Sequence, residues 1–488
     1  MTFDDYRSHD ALGLAALVRN GETTADELLE CALARAEQTR TTINAVNRLL
    51  TDRARGRLQP PLSGAFAGVP FLVKDVFQDV QGEPTSMGSR AFRDHRADAD
   101  SSYVRRADAA GLVTFGKTNA PELGLQGVTE NATFGATRNP WATGHTPGGS
   151  SGGAAAAVAA GIVPMAGGND GGGSIRIPAG YCGLFGLRPG RGRVPVGPFL
   201  AEVWEGASSD HVLTRSVRDS AAILDALAGP DTGAPFHIAP PARPFAREPE
   251  QDPAPLRIAL CTRSPIGGPV DAECRVAAED TARLLEGLGH RVEEAEPPVD
   301  GMALAKCYMT LYFGQVAAAA ARGRDGDFEL DTRALAMLGR ALSSGEYVAA
   351  HQQWNAFGRA LGTFFNDFDL YLTPTVAARP AAIGELDTPA GERLGIRILS
   401  TLRAGRLLLK SGMVEKMAFR ALARTPFTQL ANLTGTPAMS VPLYWTEDNL
   451  PLGSQFIAPV GGEGLLLRLA GQLERARPWW HRVPEIPA

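Results

Sequence analysis

The chain is poor in the residues that mark several common functions. Only five of its 488 residues are cysteine, at positions 31, 182, 261, 274 and 307, with no CxxC pair. That usage argues against a disulfide framework or a zinc site. The eight histidines are scattered and none falls at ligand spacing, so neither a metal nor another cofactor is expected. Positive charge is not in surplus: 48 Lys and Arg against 53 Asp and Glu give a net charge of −5. A nucleic-acid or anionic-membrane binder would normally carry a basic excess, so neither partner is expected. The longest apolar run, Ala154–Ala166, has 13 residues rich in Ala and Gly, too short to span a bilayer. The first residues lack a charged-then-apolar leader, and a cytoplasmic location is the expectation.

What is present reads as a large globular protein. Hydrophobic residues make up 44% and charged residues 21%, ordinary values for a folded domain. The first 56 residues read as helical, with Thr24 and Glu27 in capping-box positions. Strand-like runs then alternate with helical ones. Strands are expected at Ala67–Val73, Leu112–Phe115, Ile162–Ala166, Leu256–Leu260, Arg291–Glu294, Leu370–Thr373, Ala438–Leu443 and Gly453–Ala458. Helices are expected at Ser101–Ala110, Ser151–Ala160, Ser216–Leu227, Asp271–Leu288, Gly301–Arg322, Ser344–Phe365, Gly395–Arg424 (with a basic face) and Gly464–Ala476. This alternation predicts an α/β fold with a mixed, twisted sheet covered by helices on both faces. The expected organisation is an N-terminal helical segment, 1–60, and one α/β domain, 61–488. A Pro-rich crossover over 228–256 interrupts that domain.

Glycine is the residue in excess, 55 in all. It clusters in Thr146–Gly153 and again in Gly167–Ser174. Successive N–H groups between Gly171 and Ser174 can converge on one point, a nest suited to an oxyanion. Two other motifs match here and fail on context. Gly111–Thr118 satisfies the Walker A pattern, but its middle reads as the strand itself and Asn119-Ala-Pro121 follows instead of a helix. Gly148–Gly152 and Gly149–Gly153 satisfy G-x-S-x-G, but no strand precedes them as a nucleophile elbow requires.

The run Gly148-Gly-Ser150-Ser-Gly-Gly, continued by Asp170, Ser174-Ile-Arg176 and Pro178-Ala179, resembles the amidase signature, including the spacing of its two serines. Four further blocks resemble that family in order: Gly68–Asp75, Gly116–Gly124, Cys182–Pro189, and the C-terminal pair Pro426–Pro442 with Gly453–Gln455. The resemblance covers roughly residues 10 to 480. It implies an amide hydrolase with a Ser–Ser–Lys triad. Ser174 would be the nucleophile, Ser150, after a cis peptide bond, the proton carrier, and Lys74 the terminal base. Lys74 must be neutral to accept a proton. An unperturbed lysine titrates near about 10.4, so burial has to lower it, and the preceding Phe71-Leu72-Val73 suits that. Gly171, Gly172 and Gly173 become the expected oxyanion donors. Ser151, Asp170 and Arg176 are expected to hold the loop from behind, and Lys117 to be structural.

Gly135–Trp141, Gly168–Asp170 and Arg191–Pro198 resemble the branch that hydrolyses 6-aminohexanoate cyclic dimer. Leu125 and His145 depart from what that branch carries at their positions. Leu125, Tyr308, Tyr312 and Phe313 are the expected substrate pocket, with the two tyrosines on one helix face. The expected partner is a small-molecule amide, and a homodimer is left open. The alternative within the family is a glutaminase subunit of an amidotransferase. Such subunits usually place Gln after the signature Ile-Arg, where this chain has Ile177.

Overall fold

The computed structural model describes residues 1–58, 62–401 and 404–486. The expected boundary at 60/61 lies outside the described residues. Eleven strands form one sheet: β1 (Val46–Leu49), β2 (Pro70–Lys74), β3 (Val113–Thr118), β4 (Met165–Asp170), β5 (Phe185–Arg188), β6 (Ser209–Thr214), β7 (Arg257–Leu260), β8 (Arg291–Glu294), β9 (Leu370–Pro374), β10 (Ala438–Trp445) and β11 (Pro451–Ile457). Their spatial order is β1-β3-β2-β4-β6-β5-β10-β11-β9-β7-β8. Pairs β2/β3, β2/β4, β7/β8 and β7/β9 are parallel. The others are antiparallel, so the sheet is mixed as expected. Every residue of β2, β3, β4, β5, β6, β9 and β11 is buried whichever way it points. A strand is buried on both sides only when both faces of its sheet are covered.

Several elements differ from expectation. The N-terminal 56 residues are not all helix, because β1 pairs antiparallel with β3 at the sheet edge. The capping box at Thr24 and Glu27 does start the helix Ala25–Gln38. That helix packs through Leu28, Leu29 and Ala32 into the principal core beneath the sheet. Residues 395–424 are not one helix but belong to three, Ala390–Thr401, Gly405–Lys410 and Met413–Leu422, with Gly412 at φ +72° before the last. The 228–256 crossover carries only a short turn of 3-10 helix, Phe245–Arg247, between the helix Val217–Leu227 and β7.

The difference that matters most for function is β4. The expected strand was Ile162–Ala166 with a glycine loop after it. The strand instead runs Met165–Asp170, so Gly167-Gly168-Asn169-Asp170 are sheet residues. A side chain at Gly167 would sit 2.3 Å from Gln78 Oε1, and one at Gly168 3.1 Å from Ser151 Oγ. Glycine here serves close approach within a strand rather than a turn. The same reading disposes of the Walker A match, because Gly116, Lys117 and Thr118 lie inside β3.

Candidate active site

The parallel neighbours β2 and β4 end side by side, which brings Lys74, Asn169 and Asp170 to one rim of the sheet. Ligands of open α/β sheets bind at such carboxyl ends. Lys74 is wholly buried. Its Nζ lies 2.7 Å from Ser150 Oγ and donates to Asn169 Oδ1 at 2.6 Å. Burial lowers the Lys74 ammonium to about 7, against the opposing pull of the Asp210 and Asp170 carboxylates. A neutral amine has two N–H groups and one lone pair. With one N–H engaged by Asn169 Oδ1, the lone pair is free to face the Ser150 hydroxyl.

Gln78 holds this end of β2 in place. Its Oε1 accepts from the Lys74 N–H at 2.7 Å, and its Nε2 donates to Gly168 O and to Asp210 Oδ1, each at 3.0 Å. Burial pushes the Asp210 carboxyl up to about 6. Asn169, Gln78 and Asp210 were not singled out from the sequence. Only Asn169 stood in a segment that attracted attention, and nothing in the order of residues joins Gln78 to Asp210.

Ser150 follows a cis peptide bond from Gly149 and is 2% exposed. A side chain on Gly149 would come within 2.5 Å of Val128 O, so only glycine fits between Ser150 and the 126–128 backbone. Ser151 is wholly buried. Its Oγ donates to Asn169 O and its N–H to Ser174 O, both at 3.2 Å. Ser174 is half-buried among fully buried neighbours, and its hydroxyl has no hydrogen-bond partner among the described residues. The Lys74–Ser150 contact is therefore formed and a Ser150–Ser174 hydrogen bond is not. Such bonds are often long in unliganded sites and tighten once substrate is held.

The loop before Ser174 is fixed from below. Burial alone would raise the Asp170 carboxyl, but the Arg176 guanidinium beside it holds it well below the usual carboxylate range. Arg176 Nε donates to Asp170 Oδ2 and Nη2 to Oδ1, both at 2.9 Å. Arg176 also donates to Gln455 Oε1 and Asn432 Oδ1, each at 2.7 Å. Thr428 Oγ1 donates to Gly172 O at 2.7 Å. The Gly173 N–H is already donated to Asp170 Oδ1 at 2.7 Å. Of the three glycines expected as oxyanion donors, this leaves Gly171 and Gly172 with N–H groups that have no partner among the described residues; the Ser174 N–H is likewise unpartnered. Gly173 sits at φ +119°, and a side chain there would meet Thr428 Oγ1 at 2.5 Å.

Breaking a buried ion pair by removing one partner costs about 3–5 kcal/mol. Arg176→Met is therefore expected to lower unfolding stability by about that much, read from urea denaturation, because Asp170 is left charged and buried.

The expected pocket residues divide. Leu125 is half-buried and packs with Val76, Leu123 and Val316. It follows Gly124, where a side chain would stand 3.3 Å from Ser150 Oγ. Tyr308 and Tyr312 lie on the helix Gly301–Ala320 with ring centroids 4.7 Å apart. The Tyr308 hydroxyl would be 1.8 Å from a side chain on Gly172, so the phenol rests directly on the glycine loop. Trp204, not anticipated from the sequence, meets Tyr312 edge-to-face with ring centroids 4.8 Å apart and covers Gly171 in the same way. Phe313 lies about 100° further round the helix and is wholly buried, against Leu311, Leu338 and Trp354, in the same apolar cluster that holds Tyr308. His145 pairs by backbone with Ala382, and its buried Nδ1 has no partner among the described residues. Lys117 is structural: its Nζ donates to Thr85 Oγ1 at 2.7 Å and lies 3.8 Å from Asp75.

Residues 27–467 match the Amidase family, and the chain belongs to that family and is an amide-bond hydrolase. It is 38% identical to the 6-aminohexanoate-cyclic-dimer hydrolase of Pseudomonas sp. (strain NK87), across 98% of this chain and 96% of that one. A solved structure of 6-aminohexanoate cyclic dimer hydrolase with substrate superposes with a TM-score of 0.89 at 35% identity, covering 99% of each chain. A bacterial aryl acylamidase of the amidase signature enzymes superposes at 0.82 with 28% identity, covering 96% of each chain.

Proposed function

We propose that the chain cleaves apolar or cyclic amides through an acyl-enzyme on Ser174. The observation that carries this reading is the 2.7 Å contact between a buried Lys74 and Ser150, together with a half-buried, unpartnered Ser174. Neutral Lys74 takes the Ser150 proton as Ser150 takes the proton of Ser174. The Ser174 oxygen then bonds to the amide carbon, and its carbonyl oxygen gathers charge facing the N–H groups of Gly171 and Gly172. As the carbon–nitrogen bond breaks, Ser150 returns a proton to the departing amine and recovers one from the Lys74 ammonium, which is neutral again. Water then attacks the ester by the same proton route, releasing the carboxylic acid and free Ser174.

The aromatic surface of Trp204, Tyr308 and Tyr312 against the glycine loop suits an uncharged chain or ring. 6-Aminohexanoate cyclic dimer, named in two of the relatives reported above, is one substrate of that kind. We read the enzyme as cytoplasmic and independent of a protein partner for its chemistry, with a homodimer compatible. Incubation with the cyclic dimer and with linear apolar amides is expected to release primary amine. Deamidation of glutamine alone would overturn the reading in favour of a glutaminase. Among the described residues no three His, Cys, Asp or Glu side chains gather at metal-binding spacing. Turnover is expected to survive prolonged EDTA dialysis, and a loss restored by Zn²⁺ or Mn²⁺ would contradict this.

A further inference from the structure

A cavity of about 470 Å³ is bounded by Gln126, Phe328 and charged side chains from the 326–333 and 387–397 segments. It adjoins the Ser150 side of the site. Gln126 is two residues beyond Gly124, which touches Ser150, and a side chain on Gly149 would be 2.7 Å from Gln126 O. Phe328 packs in the same apolar cluster as Val76, Leu123 and Leu125. Ser150 is the group that returns a proton to the departing amine in the mechanism above. An amine that takes this proton departs on the Ser150 side, where Gln126 lines the cavity.

Its charges are of both signs, but they are not equally engaged. Three of the four carboxylates already hold the wall together. Glu130 accepts from the Gly384 N–H at 3.0 Å, Glu329 from the Ala132 N–H at 2.7 Å, and Asp331 from the Thr388 hydroxyl at 2.9 Å. Asp387 lines the cavity without such a bond. Against it stand three guanidinium groups, Arg90, Arg333 and Arg393, which line the cavity and make no side-chain hydrogen bond or ion pair among the described residues. Arginine presents a fork of donors matched to a carboxylate. These three guanidinium groups are the cavity's unengaged cationic donors.

We propose that this cavity is a subsite for a carboxylate carried on the leaving amine, so that the enzyme also hydrolyses linear amides of the form acyl–NH–(alkyl)–COO⁻. The proposal rests on the serine mechanism above. It extends the substrate class from neutral rings to acylated amino acids, including the kind of product that opening a cyclic diamide creates. The reaction is unchanged: the amide carbon–nitrogen bond breaks, the acyl group passes to Ser174 and then to water, and the amino acid leaves with the proton from Ser150.

The test uses two substrates of equal reach, N-benzoyl-6-aminohexanoate and N-benzoyl-hexylamine, with benzamide as a reference that does not enter the cavity. Wild-type kcat/KM is expected to favour the carboxylate by at least about tenfold at low salt, with the preference shrinking as salt rises. Arg333→Gln and Arg393→Gln are expected to raise KM for the carboxylate several-fold, leaving kcat and the hexylamide unchanged. Equal wild-type kcat/KM for the two substrates would overturn the subsite. So would an equal effect of both variants on the hexylamide. Turnover of benzamide without either longer substrate would overturn the subsite and leave the amidase mechanism standing. Failure on all three, in protein that folds normally, would overturn both.

Discussion

Ser174→Ala is expected to lower amide turnover at least about 10⁴-fold, the scale on which removal of a catalytic serine acts. Stability should not fall with it. The Ser174 hydroxyl has no hydrogen-bond partner among the described residues, so its removal orphans nothing. A serine-reactive fluorophosphonate should label Ser174 in the wild type and label nothing in the alanine variant. Mass mapping of the adduct distinguishes it from Ser150, 2% exposed, and from Ser151, wholly buried with its hydroxyl engaged by Asn169 O. An adduct on Ser151, or undiminished turnover by the variant, would remove Ser174 from the mechanism.

The second large effect concerns Lys74. Removing a positioned base costs about 10²–10⁴ in rate, so Lys74→Ala and Lys74→Met should both lose most turnover. Lys74→Arg should fail as well, since a guanidinium stays protonated. In the wild type the base form is the neutral amine, and burial sets its titration near 7. Activity is therefore expected to be full above that pH and to fall about tenfold per pH unit below it, as the ammonium forms. The linkage sign separates chemistry from folding. The folded state holds Lys74 below its unfolded value, so it binds fewer protons than the unfolded chain between about 7 and about 10.4, and stability rises with pH across that window. At neutral pH the buried lysine thus opposes folding, and Lys74→Met is expected to unfold at no lower temperature than the wild type. An inactive but stable methionine variant supports the base role. A methionine variant with near-wild-type rates would eliminate it.

Much of the site was legible because its residues are close in sequence or fall in ordered blocks. Ser150, Ser151, Asp170, Ser174 and Arg176 come from a single stretch of chain. They stay together because β4 and the short helix Arg176–Cys182 hold the two ends of the glycine loop. The C-terminal segments around Asn432 and Gln455 carried no role in the sequence, yet both side chains bond Arg176. Their sequence separation from it is 256 and 279 residues. No local pattern encodes a partner that far away.

Composition and local order determined the class of the molecule: an α/β protein without a basic surplus, with a glycine nest and two serines at the spacing of the amidase signature. Local chemistry also set helix starts such as Thr24 with Glu27, because a capping box is made by neighbours. Only the tertiary structure decided that Gly167–Asp170 is a strand. Glycine permits both turn and close approach, and the choice falls to Gln78 and Ser151 pressing on it from other segments. Only the tertiary structure separated the expected pocket residues Tyr308 and Phe313, placing the Tyr308 hydroxyl on the glycine loop and burying Phe313 wholly. A helix face is legible from spacing, but which face meets the site depends on how the helix docks. The ionisation of Lys74 was decided in the same way. The run Phe71-Leu72-Val73 announces burial, while the acceptor Asn169 and the carboxylate Asp210 that act on the amine arrive through the pairing of β2, β4 and β6.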